Sequence, residues 1–215
     1  MRWAARPQTL GEEIANALSH GLGMLLAVAS LPILVWQAAR LGGAADVVGA
    51  SIFASSAVGL YLVSTLYHAL PAGRAKRWFC RLDHAFIYVF IAGTYTPFTL
   101  GVLRGPWGWT LFGIVWALAT AGVLLKLLDR LRHPYVSTGL YVAMGWVVLV
   151  AIGPMIERMP GAGLAWLVAG GASYTLGAAV FLIDDRVRYA HAAWHLLVLG
   201  GSVCHFFAAL GYARA

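Results

Sequence analysis

Seven apolar runs recur along the chain, at about 17–39, 47–70, 83–101, 107–127, 136–154, 163–183 and 191–212, with short stretches of Gly, Pro and charged residues between them. Each is close to the roughly 20 residues that a helix needs to cross a hydrocarbon core of about 30 Å. The breaks carry recognisable chemistry. Gly42, Gly43 and Asp46 follow the first run, and Pro71, Gly73, Arg74, Lys76 and Arg77 follow the second. Arg104, Gly105 and Pro106 part the third from the fourth, and Asp129 to Pro134 part the fourth from the fifth. Pro154 to Gly163 and Asp184 to Arg188 make the last two turns. Pro32 and Pro97 fall inside runs and are expected to leave their helices intact, because neighbouring segments satisfy the backbone groups that proline frees. The pattern predicts an all-α fold, a single integral membrane domain over residues 1–215 built as a seven-transmembrane helix bundle. No internal repeat or pair of broken helices is evident, and the spacings Gly101/Gly105 and Ser173/Gly177 suit close helix approach.

Lys and Arg set the expected direction. Eleven of the fifteen lie in the N-terminal tail and the second, fourth and sixth connections, counting Lys126 with the fourth; four lie in the others and the C-terminal tail. The positive-inside rule then places the N-terminus in the cytoplasm and, with seven spans, the C-terminus outside.

Composition narrows the function classes. The chain is 61% hydrophobic and 11% charged, less than half the charge of an ordinary soluble domain at about 25%. A net charge of +7 would suggest nucleic acid if the basic residues formed one face, but they are scattered through the connections, so no nucleic-acid partner is expected. Cys80 and Cys204 fall at opposite membrane faces, so no disulfide is expected between them. Arg2, Arg6, Pro7 and the polar stretch from Gln8 to Glu13 precede a first run too long for a signal sequence, which is expected to stay as an anchor. A multi-pass protein of the cell inner (cytoplasmic) membrane follows, with membrane lipids as its partners and its oligomeric state open.

Four polar clusters interrupt the apolar runs. Glu12, Glu13, Asn16 and His20 enter the first; Ser64, Tyr67 and His68 close the second; Asp83 and His84 open the third; His191 and His195 open the seventh. The alternating topology brings all four to one membrane face, the cytoplasmic one. His191 and His195 are four apart, on one helical face, and suit a shared metal ion. His68, on another helix at similar depth, is the best third ligand. Three histidines with an open fourth position describe a catalytic zinc site. Asp83 would then orient the water, take its proton, or hold a ligand imidazole by its second nitrogen, and Ser64 would bond the water or a substrate carbonyl.

Blander readings compete at each position. A lone histidine near a helix end is more often an interface or packing group, and it is the shared depth of these that favours chemistry. His84 points away from Asp83 and reads as a hydrogen-bonding residue. His205, about 15 Å deeper than His195, reads as a buried helix–helix hydrogen bond. Glu12 and Glu13 are explained almost as well by capping and pairing with loop arginines.

At these residues the sequence resembles the bacterial hemolysin III family, part of the superfamily of the progestin and adiponectin receptors and, more remotely, the alkaline ceramidases. The resemblance runs from about Glu12 to Tyr212. It rests on Glu13-x-x-Asn16-x-x-x-His20, on Ser64-x-x-Tyr67-His68 with Asp83-His84, and on His191-x-x-x-His195 followed by His205. It implies seven helices with a cytoplasmic N-terminus, Zn²⁺ on His68, His191 and His195, and Asp83 and Ser64 around the bound water. It further implies hydrolysis of a ceramide-like lipid amide, the acyl chain lying in a cavity between the helices. Two other functions stay open: a receptor-like sensor or regulator of membrane lipid homeostasis using the metal structurally, and the cytolytic pore that the family name suggests. The outer half offers a pore only His205 and scattered Ser and Thr.

Overall fold

The structure is a computed structural model and describes residues 6–214; Arg2, counted in the charge bias, lies outside them. The helices are α1 (Leu10–Leu41), α2 (Ala44–Ala69), α3 (Arg74–Leu100), α4 (Pro106–Leu127), α5 (Pro134–Gly145), α6 (Ile152–Arg158), α7 (Gly161–Phe181) and α8 (Ala190–Tyr212). Among the described residues there is no strand. Six segments are long and apolar enough to cross a membrane: α1, α2, α4, Pro134–Arg158, α7 and α8. The further long helix is α3. It is the least apolar because it needs least to face lipid: every residue from Ala92 to Leu100 is buried. The outward faces of the others carry exposed Leu, Ile, Val and Trp, as lipid contact requires.

The helices pack in order, α1 on α2, α2 on α3 and α3 on α4, while α7 pairs with α8 and α8 closes back on α1. α1 shows how sequence dictates this. Its buried positions, Glu12, Asn16, His20, Gly23, Ala27, Leu34 and Ala38, form one stripe, polar at the N-terminal end and small or apolar beyond. Thr9 and Glu12 start the helix with reciprocal capping bonds, so it begins at Leu10 and not near residue 17. Pro32 and Pro97 sit inside continuous helices, as expected. Ser173 and Gly177 do lie at the α7–α8 contact, where Ser173 Oγ donates to the Leu197 carbonyl at 2.7 Å. Gly101 and Gly105 instead belong to the α3–α4 turn, where Gly105 has φ +120°.

Two departures matter for the site. α3 begins at Arg74 and not at residue 83, so Asp83 lies in its third turn instead of opening it. Basic residues in a first turn oppose the helix dipole. Here Lys76 turns back, donating to the carbonyls of Tyr67 and Leu70 at 3.1 Å each, and so caps the end of α2. The fifth segment is also interrupted, a 3₁₀ stretch over Val147–Ala151 separating α5 from α6. Pro154, just beyond it, has no N–H to offer the Val150 carbonyl and crowds it. The Tyr95 hydroxyl from α3 enters the break, donating to the Gly145 carbonyl at 2.5 Å and accepting from the Val148 N–H at 3.1 Å, so the freed backbone groups are satisfied by a side chain.

Candidate metal centre

The ends of α1, α2 and α8 meet at one end of the bundle. His68, in the last turn of α2, and His191 and His195, in the first two turns of α8, are all buried, and their facing nitrogens lie within 4.8 Å of one another. Ring centroids are 4.9 Å apart for His68 and His191, 5.1 Å for His68 and His195, and 4.7 Å for His191 and His195.

The partners of these rings fix their tautomers. His68 Nδ1 lies 2.7 Å from Glu13 Oε2, and His191 Nδ1 lies 2.6 Å from Asp184 Oδ2. His195 Nδ1 lies 3.2 Å from the Asn16 carbonyl oxygen and 3.1 Å from Ser19 Oγ. A carboxylate or carbonyl only accepts, so each Nδ1 carries the proton and each Nε2 is left with a lone pair. All three Nε2 atoms are buried and have no hydrogen-bond partner. Orphaned acceptors of this kind are costly unless something binds them. The donor set fits a divalent ion: imidazoles whose second nitrogens are held by acceptors are the usual metal-binding arrangement. Tetrahedral zinc places its nitrogen ligands about 3.4 Å apart, so the widest pair would close by about 1.4 Å.

Local structure sets each ring. Glu13 stands between two donors of the α2–α3 turn region, bonded to His68 through one oxygen and paired with Lys76 through the other at 2.9 Å. Lys76 also lies 5.0 Å above the Tyr67 ring, whose centroid is 4.5 Å from that of His68. Asn16 Nδ2 donates to Gln8 Oε1 and approaches His68 Nδ1 at 3.4 Å. Glu12 does not face the trio. It caps α1, pairs with Arg6 at 2.6 Å, and accepts the Tyr189 N–H at 3.1 Å. Tyr189 is left-handed, with φ +60°, and immediately precedes α8, so this bond anchors the backbone that presents His191.

His20 lies flat against His195, ring centroids 3.4 Å apart and planes 11° from parallel, and its Nδ1 is 2.7 Å from Ser64 Oγ. Asp83 is buried beside Ser64. Among the three roles open to Asp83, holding a ligand imidazole is already taken by Glu13, Asp184 and the Asn16 carbonyl. His84 stays apart from the trio and donates from Nδ1 to the Cys80 carbonyl at 2.7 Å. His205 corrects the sequence reading: its Nδ1 bonds the Gly201 carbonyl of its own helix at 2.9 Å, while its ring rests 5.2 Å from Tyr174, so the expected bond between helices is absent at that nitrogen. Cys80 and Cys204 are free thiols.

A cavity of about 170 Å³ runs from this end into the bundle, between α3, α5, α7 and α8. His20 and Asp83 line its near end; Phe90, Phe98, Leu103, Leu111 and Met155 line the rest. It exists because α5 packs only lightly against α3 and α7. From Asp83 to Thr99 the α3 wall covers 17 residues, a rise of about 24 Å.

A family profile described as Haemolysin-III related matches residues 8–206. The chain belongs to the haemolysin III family. Hemolysin-3 of Bacillus cereus is 45% identical over 205 residues, covering 95% of this chain and 93% of that protein. The Hemolysin-3 homolog of Bacillus subtilis (strain 168) is 44% identical over 204 residues, 95% of each chain. Monocyte to macrophage differentiation factor of Homo sapiens is 27% identical over 214 residues, covering 95% of this chain and 85% of that protein. This distant relation fits the receptor superfamily to which the motifs pointed. This haemolysin III chain is thus a multi-pass helical membrane protein with three buried histidines close enough to bind a metal ion.

Sequence reasoning missed Asp184, which sits in the α7–α8 connection and reads there as an ordinary turn residue. The signal was the need of His191 for an acceptor on its second nitrogen. Asp184→Asn is expected to weaken zinc binding by about 10- to 100-fold, measured by competition with a chromogenic chelator. An unchanged affinity would show that Asp184 does not orient His191.

Proposed function

We infer that this haemolysin III protein is a metal-dependent hydrolase of a lipid amide, working in the cytoplasmic membrane with its site at the cytoplasmic ends of the helices. The observation that carries the reading is the convergence of three buried Nε2 lone pairs, each fixed by an acceptor behind its ring, beside His20, which stacks on His195 and lines a largely apolar cavity together with Asp83. His68, His191 and His195 would hold Zn²⁺. When bound, zinc supplies Lewis acidity, making water nucleophilic near neutral pH and polarising a carbonyl.

The chain's own residues supply the rest. Asp83 takes a proton from the attacking water and returns it to the departing amine, a role suited to a buried carboxyl at the cavity mouth. Ser64 holds the His20 ring, and the stacked His20 and His195 rings keep bulk water from that side. The apolar walls hold the acyl chain and place its carbonyl at the mouth. A pore is less well supported, because the far end of the cavity is lined by Leu103, Leu111 and Met155, all almost fully buried.

The test is release of fatty acid from N-acyl lipids, including ceramide, by detergent-purified protein, followed by mass spectrometry. Turnover is expected, lost on chelation and restored by zinc. No release from lipid amides at any zinc concentration, with the metal bound, would overturn the hydrolase and leave a structural metal in a sensor or regulator.

A further inference from the structure

Of the residues that line the cavity, only two carry a buried polar side-chain atom without a hydrogen-bond partner: His20, at Nε2, and Thr138, at Oγ1. The other lining hydroxyls for which a bond is seen already have partners. Thr94, Thr99 and Thr175 donate to carbonyls of their own helices, and Tyr95 fills the break after α5. Thr138 is 3% exposed and lies in the second turn of α5, where a threonine ordinarily bonds back to a carbonyl of the preceding turn.

Two contacts fix its depth. Arg81 of α3 lies 3.9 Å from Asp129, just before α5, and the Tyr141 hydroxyl donates to the His84 carbonyl at 2.8 Å. Thr138 lies between Asp129 and Tyr141 in sequence, near that end of α3, and lines the same cavity as Asp83 and Ile87. The lining thus offers unpaired polar atoms from α1 and α5 and the Asp83 carboxyl, while its other hydroxyls for which a bond is seen are already engaged and the remaining surface is mostly apolar.

We propose that Thr138 is a specificity-determining residue that bonds a hydroxyl on the amine-side head of the lipid, while the acyl tail fills the apolar remainder. A hydroxyl both donates and accepts, so Thr138 Oγ1 suits an alcohol better than a bare alkyl group does. The trio stands on α2 and α8, whereas α5 packs on α3 and α7, and on this reading the contact falls off the scissile carbonyl and on the leaving side. The proposal rests on the lipid-amide reading above, and its test separates the two.

The probes are N-palmitoylethanolamine and N-palmitoylethylamine, which differ only in the terminal hydroxyl. Full-length, zinc-loaded protein is equilibrated with each, and retained lipid together with any released palmitate is counted by mass spectrometry. Wild type is expected to retain the hydroxylated probe about fivefold better, Thr138→Val to retain both alike, and Thr138→Ser to keep the preference. Retention of both probes without preference in wild type, or a preference that survives Thr138→Val, overturns the role of Thr138 and leaves the lipid-amide reading standing. Retention of neither probe overturns both.

Discussion

Purified wild-type protein is expected to carry about one zinc per chain, and His191→Ala/His195→Ala almost none, by elemental mass spectrometry of matched preparations. The expected effect is large because the double substitution removes two of three ligands, and His68 alone cannot close a tetrahedral site. The double variant should still insert and fold, since α8 is held elsewhere by packing against α1 and α7. The Asn16 carbonyl and Ser19 lose their partner but lie near the helix end, where water replaces it. Wild-type protein that holds no metal after zinc reconstitution would remove the basis of the hydrolase and leave the histidines as packing groups.

The second large effect is on chemistry alone. Asp83→Asn keeps shape and burial but removes the proton acceptor, so turnover of a lipid amide should fall by about 10²- to 10⁴-fold. Zinc content should stay within about twofold, because the second nitrogens of the three ligands are held by Glu13, Asp184 and Asn16 and not by Asp83. The two readouts must therefore part. Joint loss of metal and turnover would make Asp83 a support of the site and not its base; full retention of turnover would assign proton transfer elsewhere.

These expectations separate what the sequence discloses from what it hides. The spans were legible because a lipid-facing surface must be apolar, and the trio was legible because the order of the spans brings its three histidines to one depth. The start of α3 was not. Charged residues read as a connection, and only the contacts of Lys76 with the end of α2 show that Arg74 to Arg81 continue a helix. The break after α5 was hidden for a related reason: Gly153 and Pro154 read as the end of the span, and the tyrosine that fills the break stands twenty-odd residues into another helix. Asp184 and Thr138 looked ordinary because their significance lies in which partner they have or lack, a property of the packed bundle. Glu12 and Glu13, adjacent and alike in sequence, diverge completely: one caps a helix and tethers Tyr189, the other holds His68.

His195 is held by α1, the first helix to leave the ribosome, yet stands in α8, the last. Nothing built earlier in synthesis can complete that pairing. The first six segments can enter the bilayer one after another while that end of the bundle still gapes. A chain released prematurely, anywhere before Ala190, would be inserted but unfinished: Glu13 would still hold His68, but the Asn16 carbonyl and Ser19 would lack the ring they face in the finished bundle, and the surfaces of α1 and α7 that α8 covers would stay bare. Such a fragment differs from the mature protein at a polar spot and along an apolar seam, which gives membrane proteases a place to tell the two apart.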